Sequence, residues 1–311
     1  MSNVFQGHLL AFICTFIWST TFVSTKILLE VFTPLEILVI RFSIGIIILK
    51  LLSPTRAKFD LKKEPYFFLA GLTGVTLYFL LENIALMYTT ASNAGILIAI
   101  VPLFTAITTK IFYPNEEKGT INLFFILGFI LALIGVYLIC TQYDNNSEIK
   151  INPLGDLLII MSAVVWAFYS VIIKKINTFK GYSQNHITRK SFEYGILCML
   201  PIIAFSDFSI SIDDMSSPKM ILNLLFLGVL ASAVCFTIWS MSVKAIGTIT
   251  SIIYIYLSPA LTVIAAYIIL GETITSKGFI GCILVILGLF LSNKHLMNVF
   301  SLKKLKKKYS I

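Results

Sequence analysis

Apolar residues in this chain run in long stretches of about twenty, broken by short clusters of charge, Pro and Asn. A helix rising 1.5 Å per residue needs roughly 20 residues to cross a hydrocarbon core ~30 Å thick. Stretches of that length fall at about 7–29, 33–52, 67–89, 92–113, 121–141, 154–176, 187–206, 219–241, 248–270 and 277–295. Ser53-Pro54-Thr55-Arg56, Tyr113-Pro114-Asn115-Glu116-Glu117 and Asp144-Asn145-Asn146 lie between them, in the composition of loops. The pattern predicts an all-α integral membrane protein with ten transmembrane helices. The first stretch has no basic lead and no small-residue cleavage site and runs through Lys26, so it reads as a spanning helix, not a signal peptide.

The pattern also occurs twice. Gly7, Leu9, Leu10, Trp18 and Lys26 return 148 residues later as Gly155, Leu157, Leu158, Trp166 and Lys174. Farther along, Gly71 and Phe79 answer to Gly228 and Phe236, Pro102 and Thr105 to Pro259 and Thr262, and Gly128 and Gly135 to Gly281 and Gly288. Residues 1–145 and 150–297 are therefore expected to be two five-helix repeats, followed by a basic tail over 298–311. Five spans per copy is an odd number, so the second copy enters the bilayer in the opposite sense. Such inverted repeats are a common plan of secondary transporters, with the substrate site near the midplane where the halves meet.

Composition and charge narrow the class. Hydrophobic residues make up 58% of the chain and charged ones 13%, with a mean hydropathy of +0.92, beyond what a soluble domain carries. Nineteen Lys and Arg fall on the side shared by the two termini and four on the other, which predicts cytoplasmic termini in a bacterial cell membrane. The net charge of +9 is nearly accounted for by those loops and the tail Lys303-Lys304-Leu305-Lys306-Lys307-Lys308. It reads as a topology signal and a contact for anionic lipid, with no nucleic acid involved. Cys14, Cys140, Cys198, Cys235 and Cys282 lie in five different stretches, with no CxxC and no His at ligand spacing, so no metal and no cofactor is expected. A membrane-embedded enzyme would need a paired Asp, a Ser–His dyad or HExxH, and no catalytic set of that kind is present.

Trp18 and Trp166, the mid-helix Pro102 and Pro259, Leu270-Gly271-Glu272 and the paired glycines of the fifth and tenth stretches, in that order and twice over, resemble the EamA-type branch of the drug/metabolite transporter superfamily. The resemblance covers essentially the whole chain. It implies the ten-helix fold of inverted repeats and transport of small metabolites, often amino acids leaving the cell, and leaves the substrate open.

Arg41 and Glu82 are the ionisable residues that stand out, because a charge in hydrocarbon costs at least ~2.5 kcal/mol and needs a partner, a route to the interface or a wet cavity. Counted from the helix ends, both lie roughly 10 Å below the outer surface. Their equal depth predicts an Arg41–Glu82 ion pair, acting as an outer gate or as the polar wall of the cavity, or else as a permanent structural tie. Glu193, in the seventh stretch, lacks an equally placed cation in the pattern and is a candidate proton carrier. Lys26 lies near a helix end and is expected to snorkel.

The substrate cavity is expected where Trp18 and Trp166 sit at mid-depth, unusual for membrane Trp. Asn83, Asn93, Tyr78, Tyr169, Tyr254 and Tyr256 add amides and hydroxyls beside Glu82, a lining suited to a zwitterion or a moderately apolar metabolite. Pro102 and Pro259 are expected to kink their helices and free backbone carbonyls. Gly128, Ala132 and Gly135 share a face, repeated by Gly281 and Gly288, which permits close helix approach. A monomer suffices for this plan and a dimer is compatible with it. The expected function is a secondary transporter that exports amino acids or related small metabolites by alternating access. Efflux of lipophilic cations is the alternative, although the acid in the first helix on which small multidrug transporters rely is absent here.

Overall fold

The computed structural model describes residues 3–54, 59–89, 94, 97–114, 122–140, 152–206, 208–209, 217–261 and 276–292. All regular structure among them is helical. In chain order the helices are α1 Asn3–Leu28, α2 Pro34–Leu52, α3 Glu64–Tyr88, α4 Val101–Phe112, α5 Leu123–Cys140, α6 Pro153–Ile176, α7 Gln184–Ala204, α8 Pro218–Ile246, α9 Thr248–Leu261 and α10 Ser276–Ser292. Four of the described helices, α1, α3, α6 and α8, are both long and apolar enough to cross a membrane. Large apolar side chains such as Phe12, Phe16, Ile47, Phe124, Leu157 and Phe279 are exposed on the outside of the bundle, as lipid-facing surfaces require and soluble ones rarely tolerate.

The helix ends are set locally. Thr33 starts α2 through a capping box: its hydroxyl accepts from Glu36 N, and Glu36 Oε2 accepts from Thr33 N at 2.8 Å, so two otherwise orphaned donors are satisfied. Asn152 caps α6 by accepting from Leu154 N and Gly155 N, and Ser183 caps α7 by accepting from His186 N. Gly247 separates α8 from α9 at φ +83°, a left-handed conformation that residues with a Cβ rarely adopt.

Two helices widen at corresponding places. α3 widens to a π-helix over Leu72–Leu77, and α8 does so over Phe226–Val234. Each widened segment lies against another helix across glycines. A Cβ on Gly71 would stand 2.6 Å from Ser191 O of α7, and a Cβ on Gly228 would stand 2.7 Å from Ile44 Cβ of α2. Small residues bring α5 and α10 equally close: a Cβ on Gly135 would lie 2.6 Å from Gly281 O, and one on Gly288 2.6 Å from Gly128 O. The glycine stripes seen in the sequence thus close a contact within one chain, where packing of facing backbones supplies the attraction that apolarity cannot supply in lipid.

The prolines behave differently from the expected mid-helix kinks. Pro102 sits in the first turn of α4, after a break at Ala99–Ile100, where its missing N–H leaves no bond unmade. Pro259 follows a 3₁₀ stretch over Ile253–Leu257 that tightens α9.

Candidate functional site

A cavity of ≈ 50 Å³ lies among α1, α2, α3, α4, α6 and α9, lined by Trp18, Thr21, Phe22, Arg41, Tyr78, Phe79, Glu82, Ile98, Val101, Trp166, Ile255 and Ser258. Arg41 and Glu82 therefore face one space, both almost wholly buried, at 1% and 4% exposure. Tyr78 and Glu82 are four residues apart on α3 and share a face, and both line the cavity.

The expected Arg41–Glu82 ion pair is not formed. Arg41 Nε instead donates to Ser232 Oγ of the α8 π-segment at 2.6 Å, and the guanidinium lies 4.2 Å from the Phe79 ring centre. Its Nη2 is buried with no hydrogen-bond partner. A buried donor left so costs about 1–3 kcal/mol, more when it carries charge, and the cation–π contact with Phe79 offsets only part of that. Arg41 and Glu82 thus line one cavity with no salt bridge between them.

The aromatic lining is continuous. Trp18 and Trp166 meet edge to face with ring centres 5.5 Å apart, Trp18 lies 5.2 Å from Trp239, and Trp166 lies 4.7 Å from Tyr78. Pairs of this kind contribute about 0.5–1.5 kcal/mol each beyond their burial. Trp18 Nε1 donates to Ala231 O at 2.9 Å, so its partner is a carbonyl of the π-segment and not a wet cavity. The indole thereby holds α1 to the widened part of α8.

Several expected lining residues point elsewhere among the described residues. Asn83, one position past Glu82, is turned away and donates through Nδ2 toward Pro34 O at 3.5 Å. Tyr169 is buried against Gly74, its ring centre 4.9 Å from that of Trp166. The Tyr254 hydroxyl pairs with His8 Nδ1 at 2.9 Å, and Tyr256 packs near Phe129. Asn83 follows Glu82 on a regular turn and so points about 100° away from it, while Tyr254 and Tyr256 lie in the 3₁₀ stretch of α9, whose three-residue turn shifts the faces a regular count assigns. Asn93 lies outside the described residues.

Glu193 is not an unpaired carboxylate. Arg189, one turn earlier on α7, places Nε 3.7 Å from its Oε1, and the Glu193 side chain is 42% exposed. Lys26 reaches Thr89 O at 3.3 Å, next to the end of α3.

A second polar cluster lies at the opposite end of α3. Glu64, its first residue, pairs through Oε1 with Lys190 of α7 and accepts from Tyr194 Oη at 2.7 Å through Oε2. Lys190 Nζ lies 4.7 Å from the Phe67 ring centre, and Arg189 Nη1 donates to Ser53 O at 2.9 Å. Both members of the pair are nearly buried. Along α3 the two clusters are roughly 27 Å apart at 1.5 Å per residue. Glu64 precedes the third apolar stretch by three residues and Lys190 stands three residues inside the seventh, so neither carried the mid-span signal that singled out Arg41 and Glu82. Ser232 and Ser258 carried no such signal, because serine is ordinary in membrane helices.

On the exposed stretch before α3, Lys63 bonds Asp60 at 2.8 Å and holds its carboxyl below the usual range. No group of His, Cys, Asp and Glu among the described residues could hold a metal ion.

The model of the EamA-like transporter family matches the chain twice, over residues 5–141 and 153–294. An uncharacterized transporter of Archaeoglobus fulgidus is 28% identical over 92% of this chain and 97% of its own length. A probable terminal-alkyne amino-acid exporter of Streptantibioticus cattleyicolor is 23% identical over 74% of this chain and 73% of its own. A crystal structure of another protein superposes with a TM-score of 0.73 at 18% identity, covering 95% of this chain and 99% of that one, which is a likeness of fold.

Proposed function

This chain belongs to the EamA-like transporter family, and from that premise we propose that it is a secondary transporter exporting amino acids or related small metabolites by alternating access. Transport itself follows from the family and from the transporters it resembles. The export direction, the substrate class and the mechanism are our reading. The carrying observation is the cavity in which Arg41 and Glu82, buried and not paired, stand among Trp18, Trp166, Tyr78 and Phe79. A small molecule with polar and apolar parts suits such a lining. The likeness to an amino-acid exporter supports the same class.

In this reading residues 1–145 and 150–297 are two inverted five-helix repeats, both termini and the tail 298–311 are cytoplasmic, and one chain suffices. In the same reading the Glu64–Lys190–Tyr194 cluster closes the cytoplasmic end of the pathway. Alternating access requires that cluster to part while the outer side closes.

Efflux of lipophilic cations is the competing reading, and Glu82 beside two indoles favours it. Arg41 in the same cavity weighs against it, since a fixed cation repels the ligand. Cells overexpressing the protein are compared with cells making equal amounts of an Arg41→Ala, Glu82→Ala variant, by profiling extracellular metabolites. Accumulation of an amino acid or a close relative only with the unaltered protein is the expected result. An unchanged profile at equal expression overturns the export reading.

A further inference from the structure

Resting on that reading, we infer that Arg41 and Glu82 are the two receptors for the opposite ends of a zwitterionic substrate, so that the ligand itself completes the ion pair that the protein leaves open. Arg41 Nη2 is buried, has no partner and belongs to a side chain that lines the cavity. Its orientation is not free: Nε is anchored on Ser232 and the guanidinium plane rests near the Phe79 ring. A guanidinium held in this way presents fixed donors to a carboxylate, the geometry for which arginine is suited. Glu82, with Tyr78 one turn before it, faces the same space, where it accepts from an ammonium group. The two side chains line one cavity and no salt bridge joins them, so a ligand between them meets a cation and an anion. Around them Phe22, Ile98, Val101, Ile255 and the two indoles leave the substrate side chain an apolar surface.

Three ligand classes are thereby separated. An amine satisfies Glu82 and leaves Arg41 unpaired, and a simple carboxylic acid does the converse. An amino-acid amide loses the charge that Arg41 requires. Each leaves one buried charge uncompensated, and a site built for hydrogen bonds rejects an analogue that lacks its partner.

The purified full-length protein in lipid nanodiscs is titrated with each of the twenty amino acids. For every one that binds, its amide, its decarboxylated amine and its des-amino acid are titrated too. The expected result is that at least one amino acid with an apolar side chain binds and that its three analogues bind at least about thirtyfold more weakly. Arg41→Gln is expected to abolish the preference for acid over amide, and Glu82→Gln the preference for amino acid over des-amino acid. Size-exclusion profile and thermal unfolding of each variant verify folding. If either misfolds, Ser232→Ala, which frees Arg41 from its anchor without removing its charge, is expected to weaken amino-acid binding and spare binding of the amine.

Amine binding as tight as the parent amino acid overturns the inference, and so does the absence of any amino-acid binding. Flux of a metabolite mixture into vesicles containing the protein is measured in parallel. A transported solute that is not a zwitterion sinks this inference and leaves the transporter reading standing. Flux of lipophilic cations alone sinks the metabolite reading as well.

Discussion

Two contacts in this bundle are built alike and differ in how their charges are settled. In one, α2 lies against the π-segment of α8 across Gly45 and Gly228; in the other, α7 lies against the π-segment of α3 across Gly195 and Gly71. The backbone device is shared, and each contact carries a buried cation, Arg41 in the first and Lys190 in the second. Lys190 is satisfied by Glu64, which in turn accepts from Tyr194. Arg41 has a serine, an aromatic face and an unpartnered Nη2. A completed buried pair holds helices in one arrangement, whereas an incomplete one keeps a free-energy gain in reserve for whatever completes it. The open account lies on the cavity and the closed one at the start of α3; under the proposed function the first binds and the second closes.

The largest effect is expected where the pair is complete. Glu64→Ala leaves Lys190 buried without its counter-charge, and breaking a buried pair on one side costs about 3–5 kcal/mol. Thermal unfolding of the detergent-solubilised protein checks it. Glu64→Leu with Lys190→Met, which removes both charges, is expected to recover most of the loss. Failure to recover would mean that the cluster serves stability through contacts other than the charge pair, and the comparison would lose its electrostatic half.

The glycines sharpen the backbone half. A Cβ at Gly71 meets main-chain atoms, Ser191 O at 2.6 Å among them, which cannot swing aside; at Gly228 its nearest neighbours are side-chain atoms of Ile44 at 2.7 Å. Gly71→Ala is therefore expected to destabilise by about 1–3 kcal/mol, as overpacking does, and Gly228→Ala by less. Equal shifts in unfolding temperature would show that the two contacts yield alike.

Arg41→Met tests the open account from the other side. Replacing a buried, incompletely paired charge by an apolar chain of similar reach leaves stability unchanged or slightly raised. Flux is expected to fall roughly ten- to hundredfold, the worth of a hydrogen bond to a charged group. A variant that loses stability and keeps flux would make Arg41 a structural tie, the other role its sequence position allowed.

How much of this was legible depended on the kind of signal. Twenty-residue apolar stretches are coarse features that survive local irregularity, and the long helices α1, α3, α6 and α8 lie where hydropathy placed spans. Arg41 and Glu82, singled out as charges within spans, line one cavity. Facing did not survive: Asn83 sits one residue from Glu82 and points to Pro34, and no hydropathy pattern announces the π-helices that re-aim α3 and α8. Nor does a sequence say that a serine on a distant helix will take the hydrogen bond a matched carboxylate was expected to take. Arg41 found Ser232 because the widened turn of α8 brings that hydroxyl within 2.6 Å.

The smallest effect concerns Glu193, and its absence is informative. Read from the sequence, this carboxylate lacked a cation and was a candidate to carry a coupling proton. Arg189, one turn away at 3.7 Å, supplies the cation, and the side chain is 42% exposed, so neither burial nor isolation sets it apart from an ordinary surface acid. Glu193→Gln is accordingly expected to keep the wild-type dependence of flux on pH, measured in vesicles between about pH 5 and 8, the range in which a proton carrier has to titrate. A profile displaced along the pH axis would return proton coupling to α7 and to the closed end of the bundle. An unmoved profile leaves Glu82 as the described carboxylate that is buried, faces the cavity and is reached by the substrate, and any proton exchanged for substrate would then have to compete with the ligand for that one group.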